Sequence, residues 1–234
     1  MHETKPVIAI EVWHWPLAGS ARRQQELFET LSEDERARAG KFRDAADAAA
    51  YVSARGGLRE ILAASRMGDA KALRFAYGQN GKPRLAGQDR PPYFNLSHSG
   101  GFAACAVCAS HEVGIDIERL RPIEQDVARH FFSPIELQEL GTLQPVEWLR
   151  GFFNCWVRKE AVVKAIGSGL STDLSSFDVT LRPGQPARLL RLDGEPDVGL
   201  RWHLAELRLE AGFAGAIACR SDGQPVTVTV RRWR

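Results

Sequence analysis

Apolar residues recur along this chain with two periods, and the switches between them mark its elements. Alternation over residues 7–13 predicts a first strand. Helical spacing at 20–30 and 32–41 predicts two short helices, the second opened by Ser32 with Glu35 three positions later, a reciprocal cap. A longer helical pattern covers 44–66, broken only by Gly56-Gly57, a pair expected to weaken the helix by about 1 kcal/mol per glycine relative to alanine. A strand near 72–77 leads into Gln79-Asn80-Gly81-Lys82-Pro83, where Asn-Gly supplies the positive φ angles of a tight hairpin. Strands are expected near 93–97, 102–109 and 113–118.

The second half repeats the plan. Helical segments near 124–131 and 134–141 precede a strong helix over 146–166, followed by strands near 176–182, 188–192, 200–208, 213–219 and 226–231. Gly101-Phe102-Ala103 through Cys108 matches Gly212-Phe213-Ala214 through Cys219 at a fixed offset, with four identities in eight positions. The fold class this predicts is α+β, with two pseudo-symmetric halves, each a long helix packed on a small, mostly antiparallel sheet. The halves are drawn at 1–112 and 113–234, and a cleft between them is a natural ligand site.

Composition narrows the class. The 234 residues, 44% apolar and 26% charged, suffice for a self-standing globular core, so a monomer needing no disulfide or partner to fold is expected. A net charge of +2 is too weak for a nucleic-acid coat protein, although a local Arg/Lys cluster could hold a small polyanion. The first residues lack the basic start and apolar core of a signal peptide, and no apolar run is long enough for a membrane helix, so a cytoplasmic location is expected. Cys105 and Cys108 form a CxxC, but an odd separation on a strand points them to opposite faces, which predicts buried, reduced thiols.

The candidate chemistry begins with Val-Gly-Ile-Asp-Ile-Glu at 113–118. Alternation places Asp116 and Glu118 on one face, their Cα atoms about 6–7 Å apart, so both can lean toward one hard cation such as Mg²⁺, which takes oxygen ligands. On the long second helix Phe152, Trp156, Val163 and Ile166 form an apolar stripe, with Glu160 and Lys164 an i,i+4 pair on its flank. Lys159 falls within that stripe, where its ammonium must snorkel to water or meet an anionic partner. Asn95-Leu96-Ser97-His98-Ser99-Gly100-Gly101 ends a strand in a glycine turn whose hydroxyls, imidazole and free N–H groups suit a phosphate. Arg36, Arg38, Lys41, Arg43, Arg55 and Arg59 read first as a solvated basic face.

Taken in order, Gly81-Lys82-Pro83, the run FNLSHSG at 94–100, VGIDIERLRPI at 113–123, RHFFSPIEL at 129–137 and FFNCWVRKEAVVKAIGSGLS at 152–171 resemble the 4'-phosphopantetheinyl transferase family, in its long, single-chain, surfactin-synthetase-activating type. The resemblance spans roughly residues 30–180. It implies coenzyme A bound between two pseudo-symmetric halves, with the nucleotide on the first and the metal acids and catalytic helix on the second. It further implies that Asp116, Glu118 and Glu160 hold Mg²⁺, and that Lys164 and Lys159 are the helix motif's basic partners. Ser97 and His98 would contact the nucleotide end and its 3'-phosphate, and Lys82 and Pro83 the adenine. The family often carries a basic residue for that phosphate where this chain has Ala48-Ala49-Ala50, which leaves Arg55, Arg43 or Arg36 to replace it.

The expected reaction is that of a holo-[acyl carrier protein] synthase type phosphopantetheinyl transferase: a serine of an apo acyl or peptidyl carrier protein attacks coenzyme A and 3',5'-ADP leaves. Asp116, Glu160 and Lys164 are the expected catalytic residues, with Glu160 as general base. Phe131 and Phe132 could offer the carrier apolar contacts, with a core role expected for at least one of them, and Arg129 and Arg150 could assist. Neither a P-loop lysine motif nor a G-x-G-x-x-G fingerprint is present, which disfavours other nucleotide enzymes, and a non-catalytic coenzyme A module would not need the three acids.

Overall fold

The computed structural model describes residues 5–66, 68–87 and 92–234. Its elements are β1 (Ile8–Pro16), α1 (Ala21–Thr30), α2 (Glu33–Ala39), α3 (Ala45–Arg66), β2 (Phe75–Tyr77), β3 (Pro83–Leu85), β4 (Tyr93–Ser99), β5 (Phe102–Cys108) and β6 (Val113–Arg119). There follow α4 (Gln125–Phe131), α5 (Pro134–Gly141), α6 (Pro145–Ile166), β7 (Phe177–Val179), β8 (Leu189–Leu192), α7 (Val198–Arg201), β9 (Trp202–Glu206), β10 (Phe213–Arg220) and β11 (Val226–Arg232). One sheet has the order β11-β1-β5-β4 and a second β6-β10-β9, with β2–β3 and β7–β8 as separate hairpins. Among the described residues no helix is long and apolar enough to cross a membrane.

β5 explains the layering. Its sequence lacks polar alternation because both faces are covered. Ala103, Cys105 and Val107 join Leu58, Ile61 and Leu62 of α3 in one core, while Ala104, Ala106 and Cys108 join Ile115 and Ile117 of β6 and Ile217 of β10 in another. Beyond the second sheet, Ala214, Ala216 and Ala218 meet Val157, Ala161 and Ala165 of α6. The order is therefore α3, first sheet, second sheet, α6. The CxxC cysteines lie in different cores, and all four cysteines are free and buried.

The duplication is visible in matching details. α3 and α6 are both 22 residues long. The N–H of Leu17 donates to Gly101 O and that of Leu120 to Gly212 O, each at 2.8 Å, where the two sheets' first strands end. Ser32 and Ser133 both donate their N–H to the glutamate three residues on, Glu35 at 3.1 Å and Glu136 at 2.9 Å. Each of those glutamates then pairs with cations of the following long helix: Glu35 with Arg55 and Arg59 at 2.5 and 2.6 Å, Glu136 with Lys159 at 2.8 Å. The Phe102 and Phe213 rings, equivalent in the repeat, meet at 5.4 Å between the sheets.

Two features differ from the expectation. Gly56-Gly57 is a packing device: a Cβ at Gly56 would lie 2.7 Å from Leu27 Cβ, and one at Gly57 2.7 Å from the Trp15 ring. Their helix penalty admits α1 and β1 onto α3, and Trp15 Nε1 donates to Ser53 O at 3.2 Å. Second, β11 crosses back from the end of the chain and pairs in parallel with β1, Ile8 opposite Val226 through His14 opposite Arg232. The last strand of the segment assigned to the second half thus belongs to the first sheet.

Candidate active site

The site starts from Gly114. A Cβ there would stand 2.0 Å from Ala161 O and 2.2 Å from Ala165 N, so only glycine lets α6 lie directly on β6. That approach brings Glu160 and Lys164 of α6 over Asp116 and Glu118, the polar-facing residues of β6. With Ser97 and His98 of β4, and with Trp156, these side chains line one open pocket of about 320 Å³. α6 is fixed in place by Pro145 in its first turn and by Gly167, whose φ of 77° closes its C-terminus.

Asp116 is 3% exposed. Its Oδ1 accepts from Lys164 Nζ at 2.6 Å and Ser97 Oγ at 2.8 Å, while Oδ2 is buried without a partner. Glu118 accepts from Ser99 Oγ at 2.6 Å. Burial raises all three carboxyl pKa values. The charge of Asp116 adds to the rise at Glu118 and Glu160, against the opposing pull of Lys164. His98 lies at the pocket's mouth, and desolvation there, assisted by the charge of Lys164, lowers its imidazole pKa.

The donor set suits a hard divalent cation. An unpartnered buried carboxylate oxygen on Asp116, facing two further carboxylates that repel it, is what such an ion would satisfy and neutralise. As the side chains stand, however, no three His, Cys, Asp or Glu among the described residues are drawn together tightly enough to hold an ion. The ammonium of Lys164 sits against Asp116.

A second cavity, of about 390 Å³, lies at the C-terminal end of α6, lined by Lys82, Pro83, Tyr93, Phe94, Ile166 and Gly167 among others. Lys82 bridges the halves there: its ammonium meets Glu112 at 2.5 Å and the carbonyls of Val113 and Ala165 at 3.2 and 3.3 Å.

Five residues expected at the site stand elsewhere. Lys159 is fully buried, paired with Glu136 at 2.8 Å and donating to the carbonyls of Leu174 and Phe177, so it does not reach the pocket. Arg55 is committed to Glu35 and lies over the Phe75 ring at 4.7 Å, away from the carboxylates. Arg36 and Arg43 are exposed, the former donating to the carbonyls of Phe28 and Glu29. Phe132 is 2% exposed and packs on Phe152 at 5.1 Å in the core, so it has no face for a partner. Phe131, 39% exposed, leans edge-on against Trp156 beside the pocket. Ser99, grouped in the sequence with a turn suited to a phosphate, instead meets Glu118, because the alternation Asn95, Ser97, Ser99 places three polar groups on one side of β4.

Fold and site together define a duplicated α+β protein with a lysine and three carboxylates gathered at the junction of its halves. Comparison with known proteins assigns the family. The family model of the 4'-phosphopantetheinyl transferase superfamily matches residues 112–218. The 4'-phosphopantetheinyl transferase HetI of Nostoc sp. is 34% identical over 218 residues, 92% of this chain and 89% of that protein. The 4'-phosphopantetheinyl transferase Sfp of Bacillus subtilis is 29% identical over 213 residues, 90% of this chain and 92% of that protein. Among solved structures, Thermotoga maritima holo-[acyl-carrier-protein] synthase matches 47% of this chain and 62% of its own at 20% identity, with a TM-score of 0.37. The chain belongs to the 4'-phosphopantetheinyl transferase superfamily.

Proposed function

We propose that this protein transfers the 4'-phosphopantetheine arm of coenzyme A to a serine of an apo acyl or peptidyl carrier protein, releasing 3',5'-ADP, and that it does so with Mg²⁺. The observation that carries the reading is the meeting of Asp116, Glu118, Glu160 and Lys164 in one pocket at the junction of the halves. Held by the three carboxylates, Mg²⁺ would neutralise the pyrophosphate and polarise the bond that breaks. Lys164, now on Asp116, has the reach to turn to the pyrophosphate and stabilise charge as it develops. Glu160, half-buried and facing the open pocket, is suited to take the proton of the carrier serine. The serine oxygen forms a bond to the β-phosphorus, the bond from that phosphorus to the bridging oxygen breaks, and 3',5'-ADP leaves with the bridging oxygen.

The remaining assignments follow the two cavities. His98 borders the acidic pocket on the side of the first half and would meet the nucleotide end, whereas the Ser97 hydroxyl beside it is committed to Asp116. Lys82 and Pro83 line the other cavity, suited to the adenine. Phe131 beside Trp156 offers the carrier an apolar contact. A cytoplasmic monomer is the working form this reading assumes.

Incubating the purified protein with coenzyme A, Mg²⁺ and an apo carrier, then weighing the carrier, tests the proposal: one phosphopantetheine mass is expected, and an unmodified carrier across a panel from different pathways would sink it. Glu160→Gln is expected to lower kcat by about 10²–10⁴ while the protein stays folded. Near-normal turnover by that variant would remove Glu160 from the role of base.

A further inference from the structure

β4 and β6 lie side by side at the pocket, yet each belongs to a different sheet and no main-chain ladder joins them. Side chains of β4 take the place of a neighbouring strand. Asn95 Oδ1, Ser97 Oγ and Ser99 Oγ accept from the N–H groups of Ile115, Ile117 and Arg119, at 2.9, 3.3 and 3.2 Å. Both strands advance by two residues per rung, so the three contacts keep register.

Proton inventory then fixes the direction of the serine hydroxyls. A serine has one proton to give and two lone pairs to receive. Ser99 Oγ is approached by Arg119 N–H, which can only donate, so its own proton turns to Glu118 Oε2 at 2.6 Å. Ser97 Oγ receives from Ile117 N–H and from Lys164 Nζ, the latter at 3.3 Å, so its proton turns to Asp116 Oδ1 at 2.8 Å. Each hydroxyl therefore reaches the carboxylate that lies one residue before the N–H it accepts.

We propose that Ser99 and Ser97 are positioning residues for the cation site: locked by β6 main-chain donors, they tether one oxygen of Glu118 and one of Asp116 and leave the others for the ion. The unpartnered, buried Oδ2 of Asp116 is the oxygen so released. This rests on the reading of Asp116 and Glu118 as holders of a divalent cation. Asn95 provides an internal comparison, because it forms the same kind of rung to Ile115 but touches neither acid.

The test titrates Mn²⁺ into the whole protein in the presence of coenzyme A, followed by electron paramagnetic resonance, with thermal melts in parallel. Ser99→Ala should weaken Mn²⁺ about tenfold, the scale of losing a hydrogen bond to a metal ligand, and Ser99→Thr should restore it. Asn95→Ala should lower Tm while leaving Mn²⁺ affinity as in the unaltered protein. If Ser99→Ala does not fold, Ser99→Cys, which keeps the volume with a weak donor, should show the same direction of change. Unaltered affinity in the Ser99 variants, or an equal loss in Asn95→Ala, would reduce the seam to a structural joint and overturn the inference alone. Absence of Mn²⁺ uptake by the unaltered protein would overturn the cation reading and this inference with it.

Discussion

Two lysines on α6 show how little a helical wheel says about an ammonium's task. Lys159 has no solvent exposure, and its charge is met by Glu136 and by two carbonyls with the Phe177 ring at 4.3 Å. Lys164 keeps 28% of its side chain accessible and faces the pocket. Lys159→Ala would leave Glu136 buried without its partner, so a loss of about 3–5 kcal/mol in urea unfolding is expected. Lys164→Ala, which takes the ammonium from Asp116 at the edge of an open pocket, should cost less stability than Lys159→Ala and should lower kcat. From the sequence alone, Lys159 on an apolar stripe demands a path to water or an anion, and a bound phosphate is as fitting as an acid. The acid that answers comes from the cap of another helix, so the demand was legible and its satisfaction was not. The twin arrangement around Glu35 carries a pH signature. Burial pushes this carboxyl up, but Arg55 and Arg59 outweigh that and hold it below its ordinary 4.5. A depressed carboxylate pKa stabilises the fold above the unfolded-state value, and that stability is lost as pH falls through the folded value. The acid limb of a stability–pH curve should therefore flatten in Glu35→Gln, which should also be the weaker protein at pH 7 because two buried guanidiniums lose their counterion.

At the scale of elements, the site depends on how closely a helix can approach a strand. Gly114 reads in the sequence as a strand residue before the acids, and strand glycine marks a close backbone approach. Its replacement by alanine would put a methyl 2.0 Å from a helix carbonyl that has no room to yield. Gly114→Ala is expected to cost about 3 kcal/mol or more through overpacking and, in whatever folds, to lift Glu160 and Lys164 off the acids and depress kcat. A variant with unaltered melting and turnover would show that α6 is not held by this contact. The helices were legible to within a residue or two because caps and apolar period agree: the expected 146–166 is Pro145–Ile166, and 44–66 is Ala45–Arg66. Sheet partners were less legible, since period two says which face a residue takes and not which strand lies beside it. Short α7 takes the start of the strand expected at 200–208, after Asp197 in the left-handed region at φ 54°.

At the scale of the molecule, duplication raises the question of why one junction carries a site and its counterpart does not. Aligned on their equal lengths and on the Glu35–Arg59 and Glu136–Lys159 pairs, Ala45–Arg66 and Pro145–Ile166 set Glu60 against Glu160 and Ala64 against Lys164. Pro16 pairs with Phe102 as Arg119 pairs with Phe213, so Trp13 and Trp15 stand where the second half has Asp116 and Glu118. Of the four charged positions only the glutamate survives, and Glu60 is taken by Arg23 at 2.5 Å and by Trp233 Nε1 at 3.1 Å. Trp233 also sets its ring edge-on against Trp13 at 5.3 Å. β11 meanwhile lies along the edge of β1, which corresponds to the edge of β6 that the β4 side chains cap. The final strand thus covers the edge of β1 on which a matching seam would have had to form. Trp233→Ala should therefore lower stability by about 1–3 kcal/mol, through lost packing and a loosened Glu60. It should leave kcat and KM for coenzyme A unchanged, and calorimetry should count one coenzyme A per chain before and after. A second binding event uncovered by that substitution would mean that the aromatic tail, and not the loss of the acids, is what silences the other half.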